Sequence, residues 1–145
     1  MKAPKPRKIG RLRTQLTLLS RRLRQEAKND PASWTRMLVL SAIDRLGEDA
    51  TPSAIGREED MRSSQVAAIL RELEASELIE RLADQADRRV TRLRLTPSGE
   101  HLLQQSRARR DLWLSEAMMR SLTEDEYRLL LKTGKLLEKL ARYSP

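Results

Sequence analysis

The sequence predicts a mainly α fold carrying one small β-hairpin. Apolar residues recur three and four positions apart along most of its 145 residues, the period of amphipathic helices. A capping residue followed by proline marks a helix start at Asp30-Pro31, Thr51-Pro52 and Thr96-Pro97. The stretch from Leu78 to Leu95 breaks that period: Leu78 to Leu82 and Val90 to Leu95 read as two short strands around a charged turn.

The elements follow in order. Ile9, Leu12, Leu16, Leu19 and Leu23 form the seam expected where one helix packs on another. The helix opened by Asp30 carries Trp34, Met37, Leu38, Val39, Leu40, Ile43 and Leu46, apolar almost all round, and should be the most buried before it ends near Gly47. Two short helices, Ser53 to about Glu59 and about Ser63 to Ala75, are separated by Asp60-Met61-Arg62, the spacing of a helix-turn-helix. After the hairpin, the Thr96 helix runs without Pro or Gly from Glu100 to about Ser121. Thr123-Glu124-Asp125-Glu126 is a capping box for a last helix whose Tyr127, Leu130, Leu131, Gly134, Leu137 and Leu140 make one apolar stripe, where Gly134 permits close helix approach. Both terminal stripes suit either an interface with a second copy or intramolecular core.

Two of these elements carry chemistry. In the second short helix Val66, Ile69, Leu70 and Leu73 share one face, leaving Ser64, Gln65, Ala68, Arg71 and Glu72 on the other. Short side chains let such a face approach base edges, Gln pairs with adenine, Arg with guanine, and Ser with either partner, so the pattern suits a helix in a major groove. In the hairpin the polar positions from Arg88 to Arg94 hold four arginines, while Leu93 and Leu95 point the other way: one face meets a core and the other is offered to phosphate. The bland alternatives are an amphipathic surface helix and a solvated hairpin.

Taken together, helix, turn, recognition helix, strand, basic wing and return strand resemble the MarR family of multiple-antibiotic-resistance regulators. That family carries Asp-x-Arg at the wing tip and a following Leu-Thr-x-x-Gly, matched by Asp87, Arg89, Leu95, Thr96 and Gly99. The resemblance implies a winged helix-turn-helix lobe over residues 30–99, flanked by N- and C-terminal dimerisation helices in 1–29 and 100–145, as one MarR-like domain. It implies that Arg89 enters a minor groove with Asp87 orienting its guanidinium, that Arg88 sits near phosphate, and that Arg62, Ser63, Ser64, Gln65, Ala68 and Arg71 serve the recognition helix. It further implies a homodimeric repressor on a pseudo-palindromic double-stranded DNA operator, with a small anionic or aromatic effector. Trp34, Met37 and Trp113 fall nearest where an effector pocket would form, with core packing as their competing role.

Three positions depart from the family pattern. Glu59 stands where an apolar residue usually faces the partner helix, implying looser packing or a rotated helix. Glu77 stands where Gly is favoured, implying strain or a different cap. Arg62 replaces a small N-capping residue, so Ser63 is expected to cap instead and shift the helix start by one.

Composition narrows the function classes. With no Cys there is no disulfide, thiolate zinc site or cysteine oxidation switch, and a single histidine, His101, assembles neither a His metal cluster nor a Ser-His-Asp arrangement. No Gly-rich phosphate loop precedes a helix, and acidic pairs such as Glu58-Glu59-Asp60 read as solvated helix ends, so neither an enzyme nor a cofactor is expected. No stretch approaches the roughly 20 apolar residues of a membrane span and no signal peptide is legible, which predicts a cytoplasmic protein.

The net charge of +8 is unevenly placed. Residues 1–29 hold 10 positive and 1 negative charge, 81–99 hold 5 and 2, and 51–80 hold 3 and 7, so the helix-turn-helix itself is acidic. Phosphate attraction must then come from the wing and from an N-terminal arm with Lys2, Lys5, Arg7 and Lys8 beside Pro4 and Pro6, flexible at its beginning and either trailing along DNA or solubilising the chain. The acidic motif leaves open a winged-helix protein-interaction or antagonist subunit without autonomous DNA reading, and the basic arm and wing leave open an RNA-associated module.

Overall fold

A computed structural model describes residues 5–27 and 33–145. Its elements run α1 (Pro6–Glu26), α2 (Trp34–Leu46), a 3-10 turn η1 (Gly47–Asp49), α3 (Pro52–Glu58), α4 (Ser63–Ala75), β1 (Ile79–Ala83), β2 (Thr91–Leu95), α5 (Pro97–Ser121) and α6 (Glu124–Ala141). The mainly α class with a small β-wing is the one expected. The chain forms two compact units, Met1–Arg109 and Arg110–Pro145, and α5 begins in the first and ends in the second.

Helix α1 starts with Pro6 in its first turn, where a missing N–H costs nothing. Arg7 and Lys8 are therefore helical, whereas Lys2 and Pro4, in the part of the arm expected to be flexible, lie outside the described residues. Helix α2 starts at Trp34, with the Ser33 hydroxyl accepting from Arg36 N, and the expected Asp30-Pro31 start lies outside the described residues. Helix α3 is capped by Thr51, whose hydroxyl accepts from Ala54 N at 3.2 Å, and begins at Pro52, as the Thr51-Pro52 pair predicts.

Helices α3 and α4 end alike. After α3 the N–H of Met61 donates to the carbonyl of Gly56 and Asp60 takes a left-handed φ of 50°; after α4 the N–H of Leu78 donates to Leu73 and Glu77 takes φ of 57°. Both are Schellman turns, which favour Gly at the left-handed position. The strain expected at Glu77 is present, and the chain turns there directly into β1.

The core of the first unit is aliphatic. Met37, Val39, Leu40 and Ile43 of α2 pack with Ile55 of α3, Val66, Ile69, Leu70 and Leu73 of α4, Ile79, Leu93 and Leu95 of the hairpin and Leu103 of α5. Each such side chain contributes roughly 1.5–3 kcal/mol on burial. Strands β1 and β2 pair antiparallel with Ile79 opposite Leu95 and Ala83 opposite Thr91, and β1 runs one residue later than the expected Leu78 to Leu82. Leu93 N donates to Ala50 O at 2.9 Å, tying β2 to the end of η1.

In the second unit α6 opens with the expected capping box: Thr123 Oγ1 accepts from Glu126 N while Glu126 Oε2 accepts from Thr123 N. No residue of α6 is buried, and none of α1. Among the described residues no helix is long and apolar enough to cross a membrane, and no group of three His, Cys, Asp or Glu is placed to hold a metal ion.

Candidate nucleic-acid interface

Two surfaces of the first unit bear the residues picked out from sequence. On α4 the buried Val66, Ile69, Leu70 and Leu73 fix the helix to the core and leave Ser63, Ser64, Gln65 and Arg71 exposed, with Ala68 half-buried. Arg62 remains the N-cap and makes no side-chain capping bond, so the expected shift of the cap to Ser63 does not occur. The first-turn amides therefore lack a side-chain acceptor at the end where a helix favours anions.

The acidity of this motif is largely engaged with arginines of neighbouring elements. Glu59 reaches Arg45 of α2 at 2.6 Å with only 12% of its side chain exposed, so a charged pair stands where apolar packing was expected. Glu74 accepts from Arg81 Nε at 2.8 Å, Glu80 from Arg94 Nε at 2.7 Å, and Glu72 lies 4.0 Å from Arg36 Nε. Glu72 is the one of these acids that shares the exposed α4 face with Ser64, Gln65 and Arg71, and its side chain is 63% exposed.

The same pairs change the reading of the wing. Arg94 is spent on Glu80 directly across the hairpin, and Arg92 on Asp84. Of the four arginines expected to offer charge to phosphate, Arg92 and Arg94 are thus committed within the protein, and Arg88 and Arg89 are left at the exposed tip. Alternation reveals which face a side chain takes but not whether a partner waits there.

The tip is built from two successive Asx turns, in which a carboxylate accepts the amide two residues on. Asp84 Oδ1 accepts from Ala86 N at 2.8 Å, and Asp87 Oδ1 accepts from Arg89 N at 3.0 Å. The Asp87 carboxylate also takes Arg89 Nε at 3.1 Å and Nη2 at 3.2 Å, a two-pronged grip that fixes the guanidinium plane while 91% of the Arg89 side chain stays in solvent. The Arg89 guanidinium and its backbone amide hold the Asp87 carboxyl below the usual carboxylate range. Asp84 is lowered too, first by the Ala86 amide and then by Arg92.

The residues Leu95-Thr96-x-x-Gly99 lock the wing to α5. Leu95 is buried; Thr96 Oγ1 donates to Glu77 O at 2.6 Å and accepts from Gly99 N at 3.1 Å; Thr96 N donates to Leu78 O at 3.1 Å. One threonine thereby caps α5 and ties the end of β2 to the turn after α4.

Among the residues expected near an effector pocket, Met37 is 2% exposed within the core and lines no cavity described. Trp34 is half-buried with the Arg24 guanidinium 5.5 Å from its ring centre, and Trp113, in the second unit, is half-buried. A cavity of about 380 Å³ instead opens among Arg36, Ser76, Leu78, Ser98, His101, Leu102 and Gln105. Sequence reasoning missed Arg36 and Asp84, and the pairing of Arg92 with Asp84; the one legible signal was the Asp84-x-x-Asp87 spacing of consecutive turns.

The MarR family model matches residues 32–91, which contain α2 through the wing tip. The crystal structure of a putative transcriptional regulator protein from Pseudomonas aeruginosa PA01 is 44% identical, with the match covering 98% of this chain and 100% of that one, and superposes with a TM-score of 0.84. The chain belongs to the MarR family. A MarR family protein from Bacillus stearothermophilus shares the fold at 19% identity, with a TM-score of 0.83 over 97% of this chain and 100% of that one. An uncharacterized HTH-type transcriptional regulator of Mycobacterium leprae is 27% identical over 139 residues, 94% of this chain and 96% of its own length. A Bacillus subtilis regulator of the same description matches at 38% identity over 61 residues, and that match spans 42% of this chain and 41% of the relative's length. As a MarR-family member the chain is a DNA-binding transcriptional regulator with a winged helix-turn-helix.

Proposed function

We propose that this regulator acts as a two-fold symmetric dimer on a pseudo-palindromic operator, with α4 of each protomer in a major groove and each Arg89 in a flanking minor groove, and that its binding represses transcription. The observation that carries the reading is the Asp87–Arg89 fork, which presents an oriented and almost wholly solvated guanidinium at the tip of the hairpin. An arginine held flat and narrow at a protruding tip matches the shape and negative potential of a minor groove. Ser64, Gln65 and Arg71 would read base edges, Ser63 and Arg62 the adjoining phosphates, and Arg88 the backbone beside the wing.

The apolar stripes of the terminal helices support the dimer. Ile9, Leu12, Leu16 and Leu19 of α1 are 38–48% exposed, and Tyr127, Leu130, Leu137 and Leu140 of α6 are 37–64% exposed. Stripes of this length, unpaired on single helices, are what a second copy would cover. In this reading residues 30–99 are the DNA-binding lobe and 1–29 and 100–145 the dimerisation helices of one functional domain.

A small anionic or aromatic effector fits the cavity beside Arg36. Its Nε is buried with no hydrogen-bond partner among the described residues, Glu72 at 4.0 Å being too distant, and His101 lines the same space. Such a ligand would act through its different affinity for DNA-competent and incompetent dimers.

The pairing of Glu59, Glu74 and Glu80 with Arg45, Arg81 and Arg94 favours DNA reading over a protein-antagonist role, because each pair offsets an acidic charge of the motif with a neighbouring cation. Fluorescence anisotropy with the DNA upstream of the protein's own gene tests the proposal. Sequence-preferring, salt-sensitive binding that collapses in Arg89→Ala is expected. Binding indifferent to sequence and to Arg89 would leave a winged-helix scaffold whose partner is another macromolecule.

A further inference from the structure

The wing tip is anchored outside its own hairpin. Between Ala83 and Thr91 the chain makes two backbone bonds across the tip, Asp84 N to Val90 O and Val90 N to Asp87 O. The remaining order comes from Asp84, whose Oδ1 gathers the amides of Ala86 and Asp87 at 2.8 and 3.4 Å. Its Oδ2 accepts from Arg92 Nε at 2.9 Å and Nη2 at 2.6 Å. The third guanidinium nitrogen of Arg92, Nη1, donates to the Glu48 carbonyl in η1. One unbroken series of bonds therefore runs from η1 through Arg92 and Asp84 to the backbone of Asp87, whose carboxylate grips Arg89.

We propose that Asp84 and Arg92 are a positioning pair that sets the approach of Arg89 to DNA, transferring the rigidity of the lobe through Asp87 to a side chain that is 91% exposed. The proposal rests on the reading in which Arg89 is the wing's DNA contact. Three features support it. Only 12% of the Asp84 side chain is exposed, so its bonds to Arg92 are screened less by water than those of an open surface pair. Arg92 leaves a β2 strand whose neighbours Leu93 and Leu95 are buried and whose Leu93 N is bonded to Ala50 O, so its Cα is fixed by the core. The geometry also demands a guanidinium, because one side chain spans a carboxylate and a backbone carbonyl at once, whereas the single ammonium of Lys is a point charge.

The pair predicts an effect opposite in sign to simple electrostatics. Removing the negative charge of Asp84 from a DNA-binding hairpin should tighten binding if charge alone mattered. If Asp84 positions Arg89, its removal weakens binding. The experiment measures operator affinity of the full chain by anisotropy for wild type, Arg89→Ala, the near-isosteric Asp84→Asn, Arg92→Lys, and the last two each combined with Arg89→Ala. Asp84→Asn and Arg92→Lys are expected to weaken binding by about five- to tenfold in the wild-type background and by under about twofold when Arg89 is already absent. The 15N order parameter of the Arg89 amide should fall in both single variants, while melting temperatures stay close to wild type.

Tighter or unchanged binding by Asp84→Asn, with Arg89→Ala still weak, overturns the positioning role and leaves the DNA contact of Arg89 standing. Equal losses with and without Arg89 also overturn it, since Arg92 would then touch phosphate itself or act through the fold. Wild-type binding by Arg89→Ala overturns both the positioning role and the reading on which it rests.

Discussion

A Cβ atom added to Gly99 would lie 2.0 Å from the carbonyl oxygen of Leu78. The same carbonyl accepts from Thr96 N, so the first turn of α5 is pressed against the turn that follows α4. The glycine of the Leu-Thr-x-x-Gly pattern is thus demanded by close backbone approach, not by a left-handed dihedral. Gly99→Ala must displace backbone on one side, and a loss of about 3 kcal/mol is expected in chemical denaturation. A loss under 0.5 kcal/mol, or about one-sixth of that, would mean that the contact relaxes freely.

Glu77 sits at φ of 57°. A left-handed backbone costs a residue with a Cβ roughly 1–2 kcal/mol, partly offset because Gly has more unfolded-state freedom to lose. Glu77→Gly should therefore stabilise the fold by about 0.5–1 kcal/mol, read from the urea midpoint at constant m-value.

The apolar stripes of α1 and α6 are expected to pair between protomers. Leu16→Glu and Leu137→Glu would place a carboxylate in the middle of each stripe, and sedimentation velocity should show monomers or a dissociation constant weaker by several orders of magnitude. A dimer that survives both changes would locate its interface elsewhere.

The two wing aspartates set the acid limit of the tip. Both carboxyls titrate below their ordinary value in the folded chain. A depressed folded pKa contributes stability above the unfolded value near 3.9, and that contribution is lost as pH falls through the lowered folded value. The amide shifts of Ala86 and Arg89 should hold steady from neutral pH down to about pH 5 and move only below about pH 4. A transition centred near pH 6 would contradict this assignment.

The recognition helix and wing should separate in their effects on DNA. Gln65→Ala and Arg71→Ala are expected to relax discrimination by about 1–3 kcal/mol at individual base pairs, whereas Arg89→Ala should weaken binding to every duplex. Equal loss of affinity for operator and scrambled DNA in Arg71→Ala would reassign that residue to phosphate.

What the sequence disclosed follows the range of the physics. Helix α4 and its buried Val66, Ile69, Leu70 and Leu73 were legible because a repeat over thirteen residues is a strong signal, and the capping box of α6 because it is local. The strain at Glu77 was legible through the resemblance to the MarR family, which favours Gly at that position. The three-residue turn Gly47–Asp49 has no period to detect, yet it supplies the carbonyl that receives Arg92. The fates of Arg92, Arg94 and Glu59 depended on partners 8, 14 and 14 residues away, and such pairings leave no mark on hydrophobic alternation.

The internal pairing of Arg81, Arg92 and Arg94 makes the hairpin a nearly neutral stalk with its cationic charge gathered at the end. Each arginine so engaged would add less to the attraction between the hairpin and an arbitrary duplex than a free one, and indiscriminate binding to the polymer would fall accordingly. The hairpin would leave a wrong site quickly while paying little at a correct one, where a single well-aimed guanidinium makes its contact. In the proposed mode of binding, what these ion pairs subtract from raw grip they would return as speed in the search along a genome.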